Sequence, residues 1–202
     1  MAQEIQVNIN EDGTENVDAN TVLTDNECFK ATTAFSTGGK KGEYKYAHAN
    51  LTFPAWIEIR VDDEPSAENP NGTANKTSVV IVAKKSAKLS AYVRTGNNKK
   101  VNLFDQSTFT ALDGTSAFTE DGSNNLWSWT WQIEAGKTYV LTEKGGTGRL
   151  SGFSYVEGGT GIANINADVN DANAPAYNLA GQRVNANAKG LVIKNGKKYV
   201  NK

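Results

Sequence analysis

The stretch Trp56-Ile-Glu58-Ile-Arg60-Val-Asp62-Asp-Glu64 places a charged group at every second position, three carboxylates interrupted by one arginine. On an extended strand such positions share a face at a spacing of roughly 7 Å. Carboxylates held at a defined separation are the equipment of glycoside hydrolysis, one serving as acid and the other as base or nucleophile. Arg60 interrupts the series of carboxylates. The stretch therefore reads as a solvated sheet face, or as a binding face with Trp56 as aromatic platform beside Glu58 and Arg60. A second group, Asn124-Asn125-Leu126-Trp127, offers different chemistry. An indole stacks on the C–H face of a pyranose, and amides both donate to and accept from hydroxyls. Trp127, Trp129 and Trp131 alternate with small polar residues and share a face with Ile133, so core packing is the competing reading. It is preferred for Trp129 and Trp131, while for Trp127, beside the polar run Glu120 to Asn125, both readings stay open.

These residues need strands to hold them. From Asn124 to Glu157 the pattern predicts three consecutive antiparallel strands sharing one apolar face, the end of a β-sandwich. Turns are expected at Glu134 to Lys137 and at Gly145 to Gly148. The second strand carries Tyr139 and Leu141, and the third Leu150, Phe153 and Tyr155. Earlier strands are expected at EIQVNI, around Val22, from Cys28 to Phe35, over EYKYAHANLTF with Tyr44, Tyr46 and His48 on one side, and at WIEIRV. Gly38 to Gly42 reads as a flexible loop and Asp63 to Thr77 as a long polar excursion. SVVIVAKK is a continuous apolar run, as expected of a centrally buried strand. In AKLSAYVRT, Leu89, Ala91 and Val93 alternate with Tyr92 and Arg94. KKVNLFD and FTALD add short strands.

After Gly158 the composition shifts to an Asn- and Ala-rich stretch that reads as a linker. Two further short segments follow, the last pair joined by Asn195-Gly196, a type I′ hairpin signal.

The run from the tryptophan strand through AGKTYVL, the glycine-rich turn and RLSGFSYV resembles the last three strands of jelly-roll carbohydrate-binding modules. Families 6 and 35, with their galactose-binding-like sandwich, are the most similar in pattern. The resemblance implies that Trp127 stacks on a sugar and that the turn from Thr147 to Arg149 hydrogen-bonds it, in place of the asparagine usual there. It also implies a structural Ca²⁺ held by loop carbonyls and carboxylates, whose ligands the sequence does not assign, and no other cofactor. The Glu58 to Glu64 stretch is similar to the E-x-D-x-E strand of family 16 jelly-roll glycosidases, from which it departs at Arg60. Tyr177 to Val184, followed by Lys189 to Ile193 and a lysine-rich last strand, resembles a shortened C-terminal sorting domain of type IX secretion substrates.

Other chemistry finds little support. The net charge of −1 over 202 residues gives no electrostatic footprint for nucleic acid. A mean hydropathy of −0.52 without a long apolar run gives no membrane span. His48 is the single histidine and Cys28 the single cysteine, so neither a histidine-rich metal site nor an internal disulfide is expected. MAQEIQVNI has no apolar leader segment, so secretion implies a leader removed ahead of it. The sequence thus predicts an all-β jelly-roll sandwich over residues 1–158, a linker over 159–174 and a small C-terminal β segment over 175–202. Its expected role is a monomeric, secreted or surface-bound module without catalysis, binding a plant cell-wall polysaccharide beside a polysaccharide-degrading enzyme. A structural spacer sandwich and a small glycoside hydrolase or lyase are the alternatives.

Overall fold

Alternating apolar and polar residues give strands one buried and one open face, and two such sheets close a core between them. A computed structural model describes residues 4–8, 15–96, 100–158, 176–178, 183–184, 190–194 and 197–201. The chain opens with β1 (Glu4–Asn8), β2 (Asn16–Val17), β3 (Val22–Asp25) and β4 (Phe29–Thr33). A long hairpin follows, β5 (Thr37–Tyr46) and β6 (Leu51–Ile59), joined by a 3-10 turn at Ala47–Ala49. Then come β7 (Val79–Ala83), β8 (Ala87–Gly96), β9 (Val101–Asp105) and β10 (Thr110–Ala111). The hairpin β11 (Gly114–Asp121) and β12 (Asn124–Ile133) precedes β13 (Thr138–Glu143) and β14 (Gly148–Glu157). The remaining strands are β15 (Ala176–Tyr177), β16 (Arg183–Val184), β17 (Gly190–Lys194) and β18 (Lys197–Asn201).

The expected β-sandwich is present. The larger sheet runs β11-β12-β8-β14-β6-β5-β2, with β1 also on β14, and the smaller runs β10-β9-β13-β7-β4-β3. All pairings between named strands are antiparallel, and from β6 to β9 each successive strand changes sheet. Between the sheets lie Phe29, Ile81, Leu103 and Leu141 from one side, and Ile59, Leu89, Trp131 and Leu150 from the other. Phe29 meets Phe153 and Tyr155 edge to face at 5.5 and 5.7 Å. Residues divide into two compact units, Met1–Thr160 and Gly161–Lys202. The second contains a small sheet of order β16-β15-β17-β18, in which Lys194 pairs with Lys197. The Asn195-Gly196 turn and the linker over 159–174 lie outside the described residues. No helix among the described residues is long and apolar enough to cross a membrane.

Several local expectations are corrected. The strands from Asn124 to Glu157 are consecutive but not adjacent: β8 lies between β12 and β14, and β13 is in the opposite sheet. Gly38 to Gly42 is not a loop but belongs to β5, because pairing of Gly39, Lys40 and Lys41 with Ile57, Trp56 and Ala55 overrides weak strand propensity. Glu120 to Asn125 is mostly strand as well, with only Gly122 and Ser123 between β11 and β12. β7 is central in its sheet, yet Val82 is exposed, so its apolar run has one open face. Finally, β6 ends at Ile59, before the Glu58 to Glu64 pattern is complete.

The hairpin β5–β6 has a second role. β6 pairs with β14 only over Ile57–Ile59, and β5 has an irregularity between Lys41 and Tyr44. The hairpin tip thereby folds over the outer face of the larger sheet. Tyr46, Phe53, Tyr92 and Leu126 form a buried cluster there, separate from the main core. The tip is tied down by a Tyr46–Ser151 hydroxyl pair at 2.9 Å and by His48, whose ring nitrogens meet Thr119 Oγ1 at 2.8 Å and Ser128 Oγ at 2.9 Å.

Candidate functional site

Strand register assembles a polar concave region on this outer face. Glu58 on β6 is opposite Arg149 on β14, which is opposite Arg94 on β8, which is opposite Leu126 on β12. One row across four strands therefore holds Glu58, Arg149 and Arg94 at the inter-strand spacing of about 4.8 Å. The next row brings Asn124, partnered with Gly96 on one side and Asp121 on the other. Thr147 stands just ahead of β14. Glu58, Arg94, Asn124, Thr147 and Arg149 line a shallow cavity of about 150 Å³.

Aromatic side chains prop the arginines. The Arg149 guanidinium lies over the Trp56 ring, 4.6 Å from its centroid, and Nη1 donates to the Tyr44 hydroxyl at 3.0 Å. Arg94 lies over the Tyr44 ring at 5.5 Å, while its Nε donates to Asp121 Oδ2 at 2.5 Å. Glu58 accepts an ion pair from Lys76 at 3.1 Å. Gly42 makes room for this arrangement: a Cβ there would come within 3.3 Å of Trp56 Nε1. Trp56 is buried beneath its neighbours, so its indole carries Arg149 instead of lying open.

The structure thus gathers four of the sequence-predicted residues, Asn124, Thr147, Arg149 and Glu58, into one cavity and sets Trp56 beneath it. They came from two separate surfaces in the sequence reading. The other three lie elsewhere. Asn125 points to the inner face, buried opposite Thr95. Trp127 also faces inward, half-buried, its ring 4.7 Å from Phe118 and 5.2 Å from Trp129, stacked on the latter. Those rings take up indole surface that a sugar would need. Arg60 follows the end of β6, held by backbone bonds to Thr77 and Lys76. Asp62 and Glu64 leave the row altogether, accepting bonds from Asn75 and Asn102. Arg94, Tyr44 and Asp121 were not assigned to a site from the sequence. Alternation does put Arg94 on the face opposite Leu89 and Val93, but only the strand order reveals that this face meets Arg149.

The cavity can hydrogen-bond a polyhydroxylated ligand with guanidinium, amide and hydroxyl donors at one end and a carboxylate acceptor at the other. It is smaller than the roughly 300–1,000 Å³ that encloses a drug-sized molecule. It suits one residue or substituent of a ligand that continues over the sheet. Among the described residues no three His, Cys, Asp or Glu side chains converge to hold a metal, and none is assigned to the Ca²⁺ implied by the resemblance. No protein-family model matches the chain, and no curated protein is significantly similar to it.

Proposed function

We propose that the sandwich is a non-catalytic carbohydrate-binding module that holds a plant cell-wall polysaccharide on the outer face of its larger sheet, as an accessory of a secreted polysaccharide-degrading enzyme. The observation that carries this reading is the convergence of Asn124, Thr147, Arg149 and Glu58 on one shallow, open, polar cavity. Such a surface matches a chain of sugars better than a compact ligand. Among the described residues Glu58 is the one carboxylate lining the cavity, and it is already paired with Lys76, whereas glycoside hydrolysis ordinarily uses two. Secretion rests on the resemblance of the C-terminal segment to sorting domains.

The test is retention on gels containing xylan, pectin or β-glucan, with reducing-sugar release assayed in parallel. Retention without release supports a binding module, and Arg149→Ala should weaken it about tenfold or more, the worth of one charged hydrogen bond. Trp127→Ala should bind as the parent does. If Trp127→Ala abolishes retention while Arg149→Ala keeps it, the site is on the inner, loop-edge side. Silence towards every polymer would favour a spacer sandwich. Sugar release that disappears in Glu58→Gln would make the protein a hydrolase.

A further inference from the structure

Resting on that reading, we propose that the pair Arg94 and Arg149 forms an anion subsite, taking the carboxylate of a uronic acid or the sulfate ester of a sulfated sugar in the bound polysaccharide.

Like charges directly opposite each other on neighbouring strands are unfavourable. Arg94 and Arg149 occupy such a position. Arg94 has a counter-charge in Asp121. Arg149 has no ion pair among the described residues; it is held instead by the Trp56 ring and the Tyr44 hydroxyl. Neither support carries a negative charge, and a tyrosine hydroxyl uses only one of five guanidinium N–H groups. Among the groups that line the cavity and their direct ion-pair partners, three cations (Arg94, Arg149 and Lys76) face two carboxylates (Glu58 and Asp121).

The neighbours match an oxyanion attached to a sugar better than a free inorganic ion. Asn124 and Thr147 add neutral donors beside the arginines, and guanidinium groups bind carboxylate and sulfate-like oxygens through paired N–H bonds. Glu58 lies one strand beyond Arg149, about 10 Å from the Arg94 strand position. It accepts hydrogen bonds and repels anions. A ligand is thereby oriented, its charged group towards Arg94 and its hydroxyls towards Glu58. Stacking on Trp56 and Tyr44 restrains both guanidinium planes before a ligand arrives, which lowers the ordering cost of binding.

The experiment is calorimetric titration of the full chain with two matched pairs of polymers: polygalacturonate against its carboxyl-reduced form, and dextran sulfate against dextran. At least one charged member should bind ten times or more as tightly as its neutral partner, and the pair that shows the preference identifies the anion. Arg149→Gln should remove the preference, Arg94→Gln should reduce it, and Arg149→Lys, which keeps the charge and most of the packing on Trp56, should retain part of it. Thermal midpoints establish that each variant is folded. Lys88→Gln, an exposed lysine outside the cavity, serves as control for diffuse attraction. Equal binding of charged and neutral partners, a preference that survives Arg149→Gln, or an equal loss in Lys88→Gln would overturn the subsite. Neutral polymers bound without any charge preference would leave the carbohydrate-binding reading standing and remove only the anion subsite. No binding of any polymer would remove both.

Discussion

Arg149 is aimed by the residue before it. Gly148 begins β14 where the backbone passes over the buried carboxylate of Glu143, which accepts a bond from Thr95 Oγ1 at 2.9 Å. A Cβ at Gly148 would come 2.7 Å from Glu143 Oε2, 2.9 Å from Val93 and 3.0 Å from Ile59. There is no slack on that side of the strand. Gly148→Ala should therefore destabilise the sandwich by about 1–3 kcal/mol, the range for overpacking a core. In a domain of this size that corresponds to a fall of several degrees in thermal midpoint. It should also weaken glycan binding more than its loss of stability explains, because Arg149 shifts with the strand. An unchanged midpoint would mean that Glu143 moves aside freely. None of this is visible in the sequence, where Gly145 to Gly148 reads only as a turn. Two of the three groups in the close approach, Val93 and Ile59, come 55 and 89 positions earlier in the chain, and Glu143 is the third.

The hairpin β5–β6 steadies the cavity's two arginines, since Tyr44 on β5 meets both of them. Its anchorage makes two predictions. Tyr46→Phe leaves Ser151 Oγ buried without its partner, at a cost of about 1–3 kcal/mol. Amide exchange should quicken in Tyr44 to Phe53 before it does in the main core. His48 adds a pH dependence. Burial lowers its pKa below the ordinary value of 6.5, which favours the neutral ring in the folded protein. As pH falls below about 6.5 the unfolded chain takes up the proton first. The contribution to stability is thus whole above that pH and declines on acidification until the lowered folded pKa is passed. The effect is small, because the ring is partly open and both hydroxyl partners can turn to accept from a protonated imidazole. Denaturation midpoints of His48→Gln should fall less between about pH 7.5 and about pH 5 than those of the parent. Equal falls would place the acid sensitivity elsewhere. At this scale alternation in the sequence located most strands, including the inward face of Trp129, Trp131 and Ile133. It missed β11, whose SAFTE segment is mostly exposed and so lacks the periodic apolar signal. It also split Thr37 to Phe53 into loop and strand, because glycine and lysine dominate where β5 is paired.

Across the whole molecule, sheet class was legible and strand order was not. Periodicity says which residues face together but is silent on which strand lies alongside. That is why the sequence offered Trp56-Glu58 and Asn124-Arg149 as rival surfaces although β14 and β8 join them. The division into Met1–Thr160 and Gly161–Lys202 carries its own test. A chain ending at residue 160 should keep its thermal midpoint within a few degrees, since each unit has its own sheets. A collapse would show that the C-terminal strands help to hold the sandwich. The pairing of β1 has a different bearing. Because β6 leaves β14 after Leu150, the free edge from Gly152 to Val156 is taken by the first strand, with Glu4 opposite Val156. The sandwich's first and last strands therefore finish side by side at one end. A short bridge between them, with a cut at the exposed Gly122-Ser123 turn, should give a circular permutant that still folds. By the same geometry the sandwich could be inserted whole into a surface loop of another protein, entering and leaving through a single gap.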